Sequence, residues 1–441
     1  MLSQSRRSFM IGSGAAALLP QPLFGKAQDA LQAWLAAQAR PVRSVDPADE
    51  DFSDLEPLIG AIGSARVVQL GEPSHGAGTA FAAKARLCKF LHQRMGFDVL
   101  VWESGLYDVS LVQEGMRGAD SGPAAAQRGI FTLWSQAEEV RPLFDYVKAS
   151  QSTARPFEMA GYDLQVTANA STERFELDLR AFAGVPQSVN ALTLAEEALA
   201  ARRRLFGSKF ANSSDLESLT KACEALTALI RNNRSVFEGA HGAEKTAFME
   251  LCIGNMRIDA LQRYDSARSQ TTPKRESRRD ARNADIFRWL LENKYRGRKL
   301  IIWAHNAHVM NAYYEPGFKA VRLDGRAIDM KPTGVHLREW LGRRLYTIGI
   351  TAFEGQDGFA FATARTTIAP APPGSLEARL HALGQPYLFL NLRGARTINA
   401  PLSARIPKYD VATIAGMGRA YDAVFYIDRM AAATRPKEQA E

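Results

Sequence analysis

The chain predicts an α/β fold: a mainly parallel sheet flanked by helices, with a helical subdomain inserted beside the carboxyl edge of the sheet. Three observations predict it. Short apolar runs alternate with helical patterns from residue 66 to 162 and recur from 299 to 427, as strands joined by crossover helices do. Runs such as Val99-Leu100-Val101 and Leu300-Ile301-Ile302-Trp303 are continuously apolar, which suits strands covered on both faces. Between 172 and 293 the pattern becomes almost wholly helical, which an insertion packed beside the sheet explains.

Residues 1–27 read as a targeting segment. Ser5-Arg6-Arg7-Ser8-Phe9-Met10 carries a twin-arginine pattern, and the apolar stretch after it is broken by Gly12, Gly14 and Pro20. It is too short for a permanent membrane span. Cleavage after Ala27 and a periplasmic or secreted location, reached through the twin-arginine export machinery, are expected. The remaining 28–441 form one catalytic domain, with the helical insertion at about 172–293.

In that domain 29–37 is a short helix and 41–56 a polar approach. Residues 66–70 form the first core strand. Phe81, Ala85, Cys88 and Leu91 give 79–95 a helical stripe, which Gly96 ends. Strands at 97–102 and 156–162 come next, with helical sequence to about 150 between them. In the insertion, Ser214 and Glu217 have capping-box spacing ahead of a stripe of Leu216, Leu219, Cys223, Leu226 and Ile230. Strands resume at 299–304, 345–351, 386–392 and 423–427, and the tail after Met430 reads as loose.

Composition narrows the function. With 441 residues, 46% hydrophobic and 23% charged, the chain is long enough for a large core and ordinary for a globular protein. The net charge of +8 includes Arg6, Arg7 and Lys26 of the leader, and no basic run is interleaved with aromatics, so nucleic acid is not an expected partner. Cys88, Cys223 and Cys252 have no CxxC spacing, which speaks against a disulfide framework or a zinc knuckle. A single Cys223–Cys252 bridge is the one alternative to three buried thiols.

The candidate site lies at the strand ends. The strand at 66–70 is followed by Glu72, that at 97–102 by Glu103, that at 156–162 by Asp163 and that at 299–304 by His305. Burying such groups costs several kcal/mol unless they are paired, so core packing does not account for all four. Three of the seven histidines, His75, His305 and His308, fall in the two stretches Gly71-Glu72-Pro73-Ser74-His75-Gly76 and Trp303-Ala304-His305-Asn306-Ala307-His308. Imidazole is the side chain for proton transfer near neutral pH and also a metal ligand. Ser74 lacks a GxSxG elbow, so a serine nucleophile is not expected.

These two stretches, together with Trp102-Glu103, Gly161-Tyr162-Asp163-Leu164-Gln165 and Arg279-Asp280, resemble the successive motifs of the erythromycin esterase family, in order and spacing, from about residue 45 to 430. The resemblance implies an α/β core with a helical subdomain, a cleft between them, and hydrolysis of an ester or lactone by water without an acyl-enzyme. It also implies His75 as general base, with Glu72, Glu103, His305 and His308 lining the cleft. Lys84 stands where the family has a basic residue, often arginine, and with Asp163 it is the expected substrate contact. The family's Met and Asn after Arg279-Asp280 are replaced here by Asn283 and Ile286. On this reading no cofactor is needed. Two alternatives stay open: the same Glu and His side chains as ligands of zinc or manganese, and a periplasmic protein that binds a small molecule without turning it over.

Overall fold

The structure, a computed structural model, describes residues 21–165, 168–185, 189–268, 278–312, 331–395, 402–406, 409, 412–414 and 417–436. Its strands are β1 (Arg40–Pro41), β2 (Val67–Leu70), β3 (Phe97–Gly105), β4 (Glu158–Asp163), β5 (Lys299–Trp303), β6 (Leu345–Asp357), β7 (Thr366–Ile368), β8 (Tyr387–Asn391), β9 (Leu402–Ala404), β10 (Ala412–Ile414) and β11 (Ala423–Met430). Nine form one sheet in the order β1-β8-β11-β6-β2-β5-β3-β4, with β7 added to β6, while β9 and β10 pair separately. From β11 to β4 all neighbours are parallel; β8, β1 and β7 join antiparallel.

Every core strand foreseen is present, and the additions are short edge pieces with little pattern of their own. Alternate side chains of the central strands enter two separate cores. Val99, Val101, Leu300 and Ile302 enter one, while Leu100, Trp102, Ile301 and Trp303 enter the other. That two-sided burial is why these runs are continuously apolar. The second core takes helices Gly78–Met95 and Arg141–Ser150. The first takes Asn169–Ala183, Val189–Gly207, Ser213–Asn232, Ala243–Arg268 and Arg278–Trp289, the helical subdomain. Gly96 ends its helix in the left-handed conformation (φ 72°) and donates its N–H to Leu91 O.

Three local expectations are corrected. The capping box does not form: the helix Ser213–Asn232 starts two residues earlier than Ser214 would need as its cap, after Asn212, and no side chain caps it. Glu217 instead pairs with Lys221 one turn on, at 2.6 Å. Cys88, Cys223 and Cys252 are free and buried, as three buried thiols were expected to be. The first helix is longer than 29–37, running Gln21–Gln38. The tail is docked: Ala433 N–H donates to Gly76 O at 2.8 Å, and Thr434 bonds the Glu139 carboxylate. A Cβ at Gly78 would meet Ala432 O at 2.7 Å, so glycine there lets the tail approach. Arg6-Arg7 and the leader to residue 20 lie outside the described residues. No described helix is long and apolar enough to cross a membrane.

Candidate active site

Parallel register brings the strand ends together. Leu70 pairs with Trp303, Trp303 with Trp102, and Trp102 with Gly161, so the segments leaving these strands emerge side by side. The β2 and β5 exits stay bonded beyond the sheet, Glu72 N–H to Ala304 O and Asn306 N–H to Glu72 O. Asn306 then bridges to β6, its Oδ1 accepting from Ile350 N–H at 3.1 Å and its Nδ2 donating to Ile350 O at 2.7 Å. A Cβ at Gly71 would lie 2.1 Å from Asn306 Oδ1, so this lacing requires glycine.

Glu72 is wholly buried and orients His75. Its Oε1 lies 3.2 Å from His75 Nδ1 and 3.2 Å from Trp134 Nε1, and its Oε2 meets the Lys84 ammonium. A carboxylate accepts, so the neutral imidazole carries its proton on Nδ1 and its lone pair on Nε2. The His75 ring sits edge-on between Trp134 and His305, at centroid distances of 5.4 and 5.2 Å. Its side chain is 28% exposed. Lys84 is fully buried and lies over the Trp303 ring. Burial pulls its pKa well below the ordinary lysine range.

A second group faces this pair. Glu103 lies in an irregular stretch of β3, where the register with β4 shifts between Trp102 and Gly105. Its Oε1 takes Arg279 Nη2 at 2.8 Å and stands 3.5 Å from His308 Nε2, while Oε2 takes the His305 N–H at 2.9 Å. Burial would raise this carboxyl, but the charges of His308 and Arg279 outweigh it and bring the pKa to about 2. Arg279 also holds Asp163, with Nε at 3.0 Å from Oδ2. His308 Nδ1 lies 2.8 Å from Asp280 Oδ1, which in turn accepts from Thr333 N–H and Oγ1. Burial disfavours the imidazolium, yet the Asp280 and Glu103 carboxylates override it and raise the His308 pKa to about 9. At neutral pH His308 is a cation.

All seven expected residues gather at this edge, with different parts to play. His75 and His308 stay partly exposed, their side chains 28% and 19% accessible. Lys84 and Asp163 do not fit as substrate contacts: both are buried, Lys84 against Glu72 and Asp163 under Arg279. His305 is buried too, with Nδ1 accepting from Ala307 N–H and Nε2 directed at Pro73 O at 3.1 Å, so it braces the His75 turn. Sequence reasoning singles out Arg279-Asp280 as a motif but gives neither a site role, and it passes over Trp134 and Thr333. Asn283 points toward the same strand ends, its Oδ1 accepting from Leu164 N–H at 3.1 Å. The start of helix Arg278–Trp289 therefore borders the site, and a charged pair opening a helix otherwise rich in alanine and arginine was the available signal.

An α/β core that gathers imidazoles and carboxylates at the carboxyl edge of its sheet, beside a helical subdomain, places groups for acid–base chemistry where α/β enzymes carry their sites. The particular family emerges from comparison: the erythromycin esterase family profile matches residues 92–430, and the chain belongs to that family. It is 27% identical over 370 residues to YbfO of Bacillus subtilis strain 168, which carries a hydrolase name, covering 81% of this chain and 80% of that one. It is 20% identical over 420 residues to erythromycin esterase type II of Escherichia coli, covering 90% and 97%. A crystal structure of a Bacillus cereus protein superposes with a TM-score of 0.71 at 20% identity, covering 93% of this chain and 99% of that one, which shows the fold is shared.

Proposed function

We propose that this protein hydrolyses an ester or lactone by general-base activation of water, with His75 as the base. The observation that carries the reading is the Glu72–His75 pair: an accessible imidazole anchored through Nδ1 to a wholly buried carboxylate. His75 Nε2 takes a proton from water as the water oxygen attacks the acyl carbon. The oxyanion that forms is met by the charged His308 and Arg279. His75 then returns the proton to the alkoxide as the acyl–oxygen bond breaks, leaving an acid and an alcohol. A well-placed general base contributes about 10²–10⁴-fold, and one well-aimed donor to the oxyanion roughly 3–4 kcal/mol.

The name of the E. coli relative supports a macrolide lactone as one candidate substrate. The test is turnover of a panel of aryl esters and macrolactones by the purified chain, with and without chelator. Hydrolysis that survives chelation supports the reading. Loss on chelation with recovery on added zinc or manganese would move the same residues into the ligand role. What favours water alone is how the carboxylates are used: Lys84 and Arg279 occupy oxygens that a metal ion would take. For location, we propose twin-arginine export to the periplasm from the Arg6-Arg7 motif. Changing both to lysine is expected to hold the precursor inside the cell, and normal export of that variant would refute it.

A further inference from the structure

A groove of about 750 Å³ lies on the helical subdomain. Helix Ala243–Arg268 forms its floor, Ser213–Asn232 one wall, and Arg278–Trp289 with Asn293 the other. Ala228, Ala247 and Gly254 keep it open. Four guanidinium groups line it, from Arg231, Arg234, Arg257 and Arg282, against two carboxylates, Glu224 and Glu250. Glu250 is shared between Arg231 and Arg234, and Glu224 takes Arg257 at 3.2 Å.

Arg282 is different. Among the described residues it has no carboxylate in ion-pair contact; Nε donates to Asn255 Oδ1 at 2.8 Å and Nη2 to Leu251 O at 3.0 Å. A Cβ at Gly254 would sit 2.7 Å from Arg282 Nη2, so this glycine lets the guanidinium lie against the helix beneath it. A part-buried guanidinium held by neutral acceptors has its charge offset only from beyond ion-pair distance, by Asp285 and Glu250, and an anion reaching the groove stabilises it further. Trp289 adds a flat apolar wall.

We propose that this groove binds a small organic polyanion, its carboxylate or phosphate group on Arg282 and Arg257. Arg282 stands three residues after Arg279 on one helix, so the groove and the active site share a single rigid element.

Isothermal titration of the full-length chain at low salt tests this, with citrate as the carboxylate probe and pyrophosphate as the phosphate probe. Saturable one-site binding of either is expected, and the tighter of the two identifies the anion class. Arg282→Gln is expected to weaken it at least about tenfold. Arg257→Gln, on the rim, should weaken it several-fold even if Arg282→Gln impairs folding. Glu250→Gln, which releases Arg231 and Arg234, should tighten it, and His308→Gln at the active site should leave it within about twofold. Absence of saturation up to about 10 mM, unchanged affinity in folded Arg282→Gln, or loss of binding in His308→Gln would overturn the proposal.

Discussion

At the scale of single residues the site divides into a base and a cation, each held by its own buried carboxylate. Glu72 orients His75, and Glu103 with Asp280 charges His308. The Glu103 carboxylate takes Arg279 and the His305 N–H and faces His308, so its substitution should act through His308. Removing that negative charge lowers the His308 pKa from about 9, because a carboxylate within 3.5 Å favours the charged imidazole. Glu103→Gln is therefore expected to move the alkaline limb of the kcat/KM profile to lower pH. Glu72→Gln is expected to lower kcat across the whole profile. An alkaline limb that stays put in Glu103→Gln would show that His308 is not the group titrating there.

At the scale of elements, the strands were legible and the link between the site and the helical subdomain was not. Continuous apolar runs ending in Glu72, Glu103, Asp163 and His305 gave the parallel strands and their active edge, because burial on both faces leaves a direct imprint on composition. Which of the gathered side chains border the cleft depends on depth, and depth has no imprint in one sequence. Lys84 and Asp163 thus looked like substrate contacts and His305 like a cleft-lining group, while Arg279 came from a helix 116 residues after the Asp163 that it holds. The Gly71–Asn306 lacing makes a testable claim at this scale. Gly71→Ala would drive a methyl group into Asn306, and Asn306→Ala would leave Ile350 N–H and C=O unpaired, at roughly 1–3 kcal/mol for each buried group. The two share one interaction, so the double variant should be less destabilised than the sum of the singles, as read by chemical denaturation. Simple additivity would show that the contact is not the one that matters.

At the scale of the whole molecule, the same charges couple activity and stability to pH. His308 has a folded pKa raised above its unfolded value of about 6.5. Its contribution is therefore fully present below that value and is lost as pH rises through about 9. Glu103 is the opposite case: lowered to about 2, it contributes above the ordinary carboxylate range and loses that as pH falls toward 2. Thermal unfolding should show an alkaline decline between about 6.5 and 9 that is flattened in His308→Gln. A wild-type curve that is level over that range would refute the charged pair. The central claim, that His75 is the base, is tested most directly by the pH dependence of kcat/KM for wild type and His75→Ala on one hydrolysed ester. The wild type should give a bell, rising as His75 becomes neutral and falling as His308 loses its proton near pH 9. His75→Ala, folded by circular dichroism, should lose at least ~10²-fold and its acid limb with it. Undiminished activity with the acid limb intact in that variant would contradict the account.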